Sequence, residues 1–522
     1  MKLLRNFLAI VFIAQLSTAQ VATKIPHTIK KSGVFKDEYK YSNIIYAAND
    51  GADGLLLVRD YEGGGLSFAI GHYFEHYDKN LKLINEYELP FKFSGNEKGG
   101  LVIGVISDNE NVHLIQSNYL KEERVLVWTA QSVKIKDFKF TERELFRISV
   151  DEYKKSFFAS AGQTDYDSGT KMILSEDKKS FVVTVDVLDR KKETHKLFWF
   201  DNKLNKKLEH TFVRNIKDRK YIVENIEVSK NGHDLYLLGK AYTEEAKKKK
   251  KGGEYTFEIT KISANGEIIK NLDTETNYAN SLKAILLDDK LVCLGFYSEK
   301  SDYKSKGICY FELDTESLTV KISKYHPFTS QFLIDKYGKE KDKELKYMNL
   351  DRIIINENKE ISFNAEERYI TTQRVGGYGP GMSMGGVIYI YHYDDIVSVK
   401  LSNTGEMLWA RNINKRQSGE SSSYLSYTVT AKNNNTYFFI NSGEKVKELS
   451  KDRIQFRQST INKSNVNIIR VKPNGDFDYQ EILDDKDNEV PFMISQGVLL
   501  DDSVYFIGRK GREKELLKVT LQ

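Results

Sequence analysis

The sequence predicts an all-β fold made from one repeated unit, and three observations carry the prediction. Aromatic residues make up 12% of the chain, with 31 Tyr and 28 Phe, and such residues favour strands. A polar turn rich in Asp and Asn, followed by a short apolar strand, recurs about every 64 residues. A hairpin follows this first cue in most copies. Self-similarity at a fixed period is typical of solenoids and propellers.

The first cue occurs in eight copies, each long enough for four short strands. Their apolar strands begin at Leu55, Val112, Phe181, Leu235, Leu291, Ile361, Thr436 and Val504. Four-stranded units repeated around a ring leave only short edges and bury the inner sheet faces against one another. We therefore predict a single β-propeller, with eight blades favoured and seven as the alternative if one irregular copy is misread.

The hairpin cue is clearest near residue 400. Val397, Val399 and Leu401 alternate with polar residues, which is the period of a strand with one buried face. Residues 402–406 then form a tight turn, in which Gly405 can adopt a positive φ without a Cβ clash. The partner strand follows, and the whole pattern predicts two neighbouring strands of one blade.

The two ends of the repeat predict how the ring closes. The eighth copy stops at LLKVTLQ and so provides only three strands, while residues 23–35 offer an extended segment before the first copy. Pairing the two would cover an exposed sheet edge. We predict one propeller domain over residues 20–522, closed by N- and C-terminal strands. One short helical insertion is expected near 329–337, where Thr329 is a candidate N-cap.

The first nineteen residues have the pattern of a signal peptide. Lys2 and Arg5 precede an apolar run, and small residues end at Ala19. The run is too short to span a membrane comfortably, and no later stretch approaches eighteen apolar residues. No Cys follows the cleavage position, so we expect an exported protein, periplasmic or extracellular, that is not a lipoprotein.

Charge and cysteine content limit the partners and the compartment further. The chain has 79 basic and 74 acidic side chains, a net charge of +5, which is too small for a field that attracts nucleic acid. We expect a monomer with no nucleic-acid partner. Cys293 and Cys309 lie on two strands around one turn; they form either a disulfide or, as we favour, two separate buried thiols.

The glycine-rich loop at residues 376–386 is the candidate functional surface. Such a loop loses much conformational entropy when it becomes ordered, so it is a poor choice for stability alone. Ordering around a partner would explain it, with Arg374 and Tyr378 as anchors and Arg411 as a further ligand-binding candidate. The alternative is a mobile insertion without function.

The sequence assembles no recognisable catalytic or metal site. His72 and His76 share a face only in a regular strand or helix, and they lack a second group of ligands nearby. The Asp/Gly turns at 50–54 and 165–169 resemble calcium loops but lack the downstream Glu. We predict no catalytic residues, no metal and no cofactor.

One stretch carries a family resemblance. GGVIYIYHYDDIVSVKLSNTGEMLWARNINKRQ, followed by SSSYLSYTV and TYFFIN, resembles exported propeller-type proteins of uncharacterised function from Bacteroidota, over residues 376–442. The resemblance implies an envelope or extracellular location and carries over no catalytic residue. Residues 404–406 with Trp409 also resemble half of the tryptophan-docking motif of quinoprotein-type propellers. Val399 and Leu401 replace its Ala and Asp, so blade packing is implied and a quinone is not.

Two functions follow as hypotheses. The first is a non-catalytic exported binding or scaffold module that presents loops to an unknown protein or glycan partner. The second is a hydrolase or lyase that acts on polysaccharide at the central channel, where carboxylates and His from several blades can converge. Two carboxylates, or a His with a carboxylate, at one mouth of the channel would favour the second.

Overall fold

Short antiparallel strands make up most of the chain. The computed structural model describes residues 21–522 except 52–53, 64–69, 92–97, 109, 135–137, 154–168, 190, 231, 243–254, 275–276, 300–303, 342, 376–385 and 459. The signal-peptide prediction and most of the glycine-rich loop therefore lie outside the described residues.

Thirty-two of the described strands form eight four-stranded antiparallel units, numbered here as sheets in chain order, and further short strands extend three of them. Sheet one comprises β4 (Tyr41–Asn49), β5 (Leu55–Glu62), β6 (Ile70–Tyr77) and β7 (Leu83–Phe91), and sheet two comprises β8 (Lys98–Ser107), β9 (Asn111–Leu120), β10 (Val125–Lys134) and β11 (Phe140–Ser149). Sheet three comprises β12 (Thr170–Leu174), β13 (Ser180–Asp186), β14 (Glu193–Asp201) and β15 (Lys206–Arg214), and sheet four comprises β16 (Tyr221–Val228), β17 (Asp234–Tyr242), β18 (Tyr255–Ser263) and β19 (Gly266–Leu272). Sheet five comprises β20 (Tyr278–Leu287), β21 (Lys290–Ser298), β23 (Gly307–Asp314) and β24 (Val320–Pro327), and sheet six comprises β26 (Met348–Ile355), β27 (Ile361–Val375), β28 (Gly386–Leu401) and β29 (Met407–Ile413). Sheet seven comprises β31 (Tyr427–Lys432), β32 (Asn435–Ser442), β35 (Asn465–Val471) and β36 (Phe477–Leu483), and sheet eight comprises β37 (Val498–Leu500), β38 (Ser503–Lys510), β39 (Glu513–Leu521) and β2 (His27–Lys31).

The remaining elements are short and attach to these sheets or connect them. They are the strands β1 (Val21–Ala22), β3 (Phe35–Lys36), β22 (Lys304–Ser305), β25 (Leu345–Lys346), β30 (Lys415–Gly419), β33 (Lys447–Glu448) and β34 (Ile454–Arg457), the helix α1 (Ser330–Tyr337), and the 3₁₀ turns Asp218–Lys220, Ile461–Lys463, Asp485–Asp487 and Ile494–Gln496.

The second strands of most sheets contain an apolar run, because both faces of these strands are covered by neighbouring sheets. In β5 the run Leu55–Leu56–Leu57–Val58 is buried at every position, although strict alternation would expose every second residue. Leu56 and Val58 pack towards sheet two, while Leu55 and Leu57 pack towards sheet eight. Continuous apolar runs of this kind are the pattern of strands that are buried on both faces.

Eight apolar clusters fill the spaces between successive sheets. One of them joins Tyr505 and Ile507 of sheet eight to Leu57 and Tyr77 of sheet one, so the succession of sheets closes on itself. In the same closure, β2 from the N-terminal segment pairs with β39. The prediction of an all-β propeller is confirmed. The preference for eight blades over seven stays a prediction, with which the eight described sheets agree.

The first strands of the sheets lie at the centre of the ring, since neighbouring first strands such as β12, β16 and β20 approach one another. A bulge interrupts the first strand in five sheets, at Ile45, Ile103, Glu224, Asn280 and Asp351. Bulges redirect side chains and occur often beside functional sites. The central surface therefore carries polar residues at positions that strict alternation would not predict.

Two local predictions can be compared with the structure. The helix near 329–337 is confirmed: the Thr329 side chain accepts a hydrogen bond from the Phe332 amide, and Gly338 ends the helix with φ 73°. Cys293 and Cys309 are both buried free thiols. Cys293 pairs with Phe311 and Cys309 with Gly295, so the two are not opposite each other in the ladder.

Candidate functional site

The glycine-rich loop connects β27 to β28, which pair as far as Val375 and Gly386, and residues 376–385 of the loop lie outside the described part of the chain. Arg374 lies in β27, opposite Val387 of β28, and Tyr378 lies outside the described residues. The neighbouring hairpin residues Ile370 and Tyr389 are more than half exposed. The assignment of ligand binding to Arg374 and Tyr378 stays a prediction.

Arg411 occupies a buried ion pair and is only 4% exposed. Its Nε and Nη2 atoms donate to the two carboxylate oxygens of Asp335 at 2.6 and 3.2 Å, and Nη1 donates to the Gly475 carbonyl. The guanidinium also lies 4.9 Å from the centre of the Phe477 ring. These contacts tie α1 to sheets six and seven. A ligand-binding role for Arg411 stays a prediction, and the structure gives this residue a structural role.

A cavity of about 520 Å³ lies between the first strands of sheets three, four and five. Its lining includes Ile173 of β12, Asp186 and His195 of the β13–β14 hairpin, Glu224 and Glu227 of β16, and Lys283 of β20. We call it the central cavity. Its position follows from the fold, because the first strands β12, β16 and β20 of these sheets lie next to one another.

Three of the lining residues form a compact group of possible metal ligands. Asp186, Glu193 and His195 each offer one ligand atom, and these atoms all lie within 4.8 Å of one another. The ladder of the hairpin sets this arrangement: Asp186 is directly opposite His195, and Glu193 is two residues before His195 on the same face of β14. His195 Nε2 lies 2.8 Å from Glu193 Oε1.

Glu193 is the buried member of the group, with 4% of its surface exposed. Its second oxygen, Oε2, is buried and has no hydrogen-bond partner among the described residues. Burial raises the pKa of Glu193, and the negative charges of Asp186 and Asp218 raise it further against the lowering effect of His195. Arg214 is opposite Glu193 in the ladder but forms a bidentate ion pair with Glu258 instead.

The opposite wall carries two further carboxyl groups with raised pKa values. Burial raises the pKa of Glu227 to about 7, although Asn225 and Lys283 oppose the shift. Burial also raises the pKa of Glu224, the residue at the bulge of β16. Lys283 donates to the Asp351 carbonyl at 3.0 Å, and burial lowers its pKa. Raised carboxyl pKa values in a recess are common at functional sites.

Asn225 fixes this wall to the next sheet. Its amide nitrogen donates to the Ala284 carbonyl at 2.8 Å, and its amide oxygen accepts from the Ala284 N–H at 2.9 Å. The side chain therefore replaces a missing strand partner between β16 and β20. Glu224 lies one residue before Asn225 and Glu227 two residues after it, so this link connects the strand of both glutamates to β20.

No family model and no curated protein matches the chain. Among solved structures it is similar to the beta-propeller domain of the Trilobed protease from Pyrococcus furiosus, with 10% identity, a TM-score of 0.32, and coverage of 71% of this chain and 93% of that one. It is also similar to the Pyrococcus horikoshii acylaminoacyl peptidase, with 9% identity, a TM-score of 0.35 and coverage of 79% and 52%. Prolyl oligopeptidase B from Galerina marginata gives 11% identity, a TM-score of 0.37 and coverage of 90% and 55%. The chain spans about half the length of these last two. The similarities concern the fold alone.

The sequence prediction did not include any residue of the central cavity. One sequence pattern could have indicated the site: Glu193 and His195 are two residues apart, so they share one face of a strand. Asp186 ends the strand before it. The two histidines that were considered lie elsewhere. His72 is buried, and burial lowers its pKa to about 4; His76 pairs with Asp50 at 2.7 Å.

Of the helices in the described part of the chain, none combines the length and the apolar character that crossing a membrane requires.

Proposed function

We propose that the protein is an exported, non-catalytic propeller that binds a glycan in the central cavity. The observation that carries the proposal is the recess itself: about 520 Å³ between three sheets, lined by carboxylates of two sheets and a lysine of the third. Ligand pockets of known proteins have volumes of roughly 300–1,000 Å³ and combine apolar walls with a few polar groups. A recess of this size accepts one end of a glycan chain.

The chemistry of the lining fits a ligand with many hydroxyl groups. Sugar hydroxyls donate hydrogen bonds to carboxylates such as Asp186 and Glu224, and they accept them from an ammonium group such as that of Lys283. Ile173, Ile222 and Val223 provide apolar surface for the C–H faces of a sugar ring. This mixture explains why a surface at the centre of the ring retains so many charged groups.

A glycan suits the recess better than a folded protein partner does. Stable protein interfaces bury about 800 Å² on each partner and need a broad, accessible surface, whereas the polar groups of this site lie inside a recess. The hairpin of β27 and β28, with exposed Ile370 and Tyr389, is the part of the chain where a protein contact would be sought instead.

Binding to a glycan array, followed by calorimetry with each glycan that binds, tests the proposal. Glu227→Gln keeps the size of the side chain but removes its acid, and we expect it to weaken binding at least about tenfold. Glu110→Gln, in the exposed turn before β9, is the matched control and should bind like the unmodified chain. An array without any signal above background would refute glycan binding.

The central cavity contains several carboxyl groups and the His195–Glu193 pair, the arrangement that the enzyme hypothesis requires. A second candidate function is therefore catalytic and rests above all on Glu227. Its pKa of about 7 leaves a large fraction protonated at neutral pH, which suits a general acid in glycoside cleavage. This favours a polysaccharide-acting hydrolase or lyase with its site at the central channel. Release of reducing ends or unsaturated products from a polysaccharide panel, lost in Glu227→Gln and kept in Glu110→Gln, would establish this activity. A panel that yields no products would leave binding as the function.

A further inference from the structure

The hairpin of β13 and β14 holds three potential metal ligands on a rigid ladder. Asp186 and His195 are directly paired in register, and their ligand atoms and that of Glu193 lie within 4.8 Å of one another. Two ligand atoms on one Zn²⁺ ion, with bonds of about 2.0–2.2 Å, are separated by roughly 3–4 Å. Small side-chain rotations are therefore sufficient to bring all three atoms to one ion.

The buried oxygen Glu193 Oε2 is the observation that points to a ligand. Glu193 is 96% buried, since 4% of it is exposed, and Oε2 has no hydrogen-bond partner among the described residues. A buried carboxylate oxygen without a partner is costly. A simple ion pair of Glu193 with protonated His195 uses only Oε1. It leaves Oε2 without a hydrogen-bond partner among the described residues.

We propose that Asp186, Glu193 and His195 bind one divalent transition-metal ion, with Zn²⁺ as the preferred ion and Mn²⁺ as the next. One imidazole and two carboxylates suit Zn²⁺ and Mn²⁺. Ca²⁺ takes oxygen ligands only, and Cu(I) prefers thiolates and thioethers, which this group lacks. Three protein ligands leave coordination positions open for a ligand or water, as in sites that bind substrates.

The open side of the bound ion faces the central cavity, because all three ligands line it. There the ion would accept hydroxyl or carboxylate oxygens of the occupant, and this role rests on the proposed binding function. Binding of the ion does not depend on glycan binding, because this chain supplies all three of the proposed protein ligands. The two proposals can therefore fail separately.

Calorimetric titration of the EDTA-treated and dialysed full chain with Zn²⁺ tests the site. The unmodified chain should bind one Zn²⁺, and His195→Gln should weaken binding about 100-fold, as should Glu193→Gln. His76→Gln is the matched control, because His76 also pairs with a carboxylate, Asp50, at 2.7 Å. It should leave the affinity for Zn²⁺ unchanged. Circular dichroism checks that each variant is folded.

The visible spectrum of the chain with Co²⁺ in place of Zn²⁺ provides a readout that needs no variant. A spectrum that differs from Co²⁺ in buffer and disappears on addition of Zn²⁺ supports a protein-bound ion at this site. Unchanged Co²⁺ absorption, no Zn²⁺ binding, or equal losses in His76→Gln and His195→Gln would overturn the proposal. If Zn²⁺ binds as expected while the glycan array is empty, the metal site stands and the glycan function falls. If glycans bind equally well with EDTA present, the ion has no part in binding them.

Discussion

Replacing Arg411 by Met tests whether this residue is structural. The substitution keeps an unbranched side chain but leaves Asp335, which is 3% exposed, without its bidentate partner. Among the described residues, the carboxylate would keep only Gln331 Nε2 at 2.9 Å and the Asn412 backbone N–H at 3.3 Å as hydrogen-bond donors. Breaking a buried ion pair by removing one partner destabilises a protein by about 3–5 kcal/mol.

The size of the chain determines how far this loss of stability lowers the melting temperature. An unfolding entropy of about 2.1 cal/mol/K per residue gives roughly 1 kcal/mol/K for a chain of 522 residues that unfolds cooperatively. Scanning calorimetry should therefore show Arg411→Met melting about 3–5 °C below the unmodified chain. Adding Asp335→Asn should recover part of the loss, because the buried charge is then gone.

The matched control is Arg124→Met. Arg124 pairs with Asp151 at 2.7 Å, close to the 2.6 Å of the Arg411–Asp335 pair, but the two side chains are 66% and 72% exposed. Exposed pairs contribute about 0–1 kcal/mol, so the melting temperature should change by about 1 °C or less. If Arg411→Met behaves like this control, the structural reasoning is refuted and the prediction of a ligand-binding role gains support.

Three further predictions concern the cavity wall and the N-terminus. Gly239→Ala should lower stability by about 1–3 kcal/mol in thermal melts, because a Cβ at Gly239 would lie 1.9 Å from the Tyr221 hydroxyl; an unchanged melting temperature would contradict the packing described. Burial raises the pKa of Glu227 to about 7 from an ordinary value near 4.5, so its contribution to stability is lost as pH rises between these values. Glu227→Gln should therefore melt higher than the unmodified chain at pH 8 and not at pH 4, and a difference that is independent of pH would be evidence against the shift. Mass spectrometry of the chain secreted by a bacterial host should give Gln20 as the first residue, and an intact Met1 would refute the signal-peptide prediction.

Much of the fold could be predicted because its signals are local or periodic. The helix followed from Thr329, whose side chain caps the neighbouring amides of its own turn. The apolar second strands followed from runs such as Leu55–Val58, which mark burial on both faces. The pairing of the N-terminal segment was predicted from the missing strand of the last copy. In the structure β2 pairs with β39 from His27 to Lys31. None of these inferences needs the exact register of distant strands.

The candidate site could not be predicted, because it depends on register and on which partners neighbouring charges choose. Asp186 and His195 are brought together by the length of the connection between β13 and β14, which composition alone does not reveal. Arg214 is opposite Glu193 in the ladder, where its charge would neutralise the Glu193 carboxylate. It forms its ion pair with Glu258 of the next sheet instead. Arg411 was assigned to a site for its chemistry, and the sequence did not reveal its ion pair with Asp335, which lies 76 residues away in a helix.

A comparison of two histidine–carboxylate pairs shows what separates an ion pair from a candidate metal site. His76 with Asp50 and His195 with Glu193 have nearly equal separations, 2.7 and 2.8 Å. Distance therefore does not distinguish them. The second pair has another carboxylate, Asp186, within reach and a buried carboxylate oxygen without a hydrogen bond among the described residues. The buried oxygen costs free energy in the absence of a cation, and a bound cation relieves this cost. A fold that retains such an oxygen beside two further potential ligands at the lining of its central cavity is best explained by a cation that binds there.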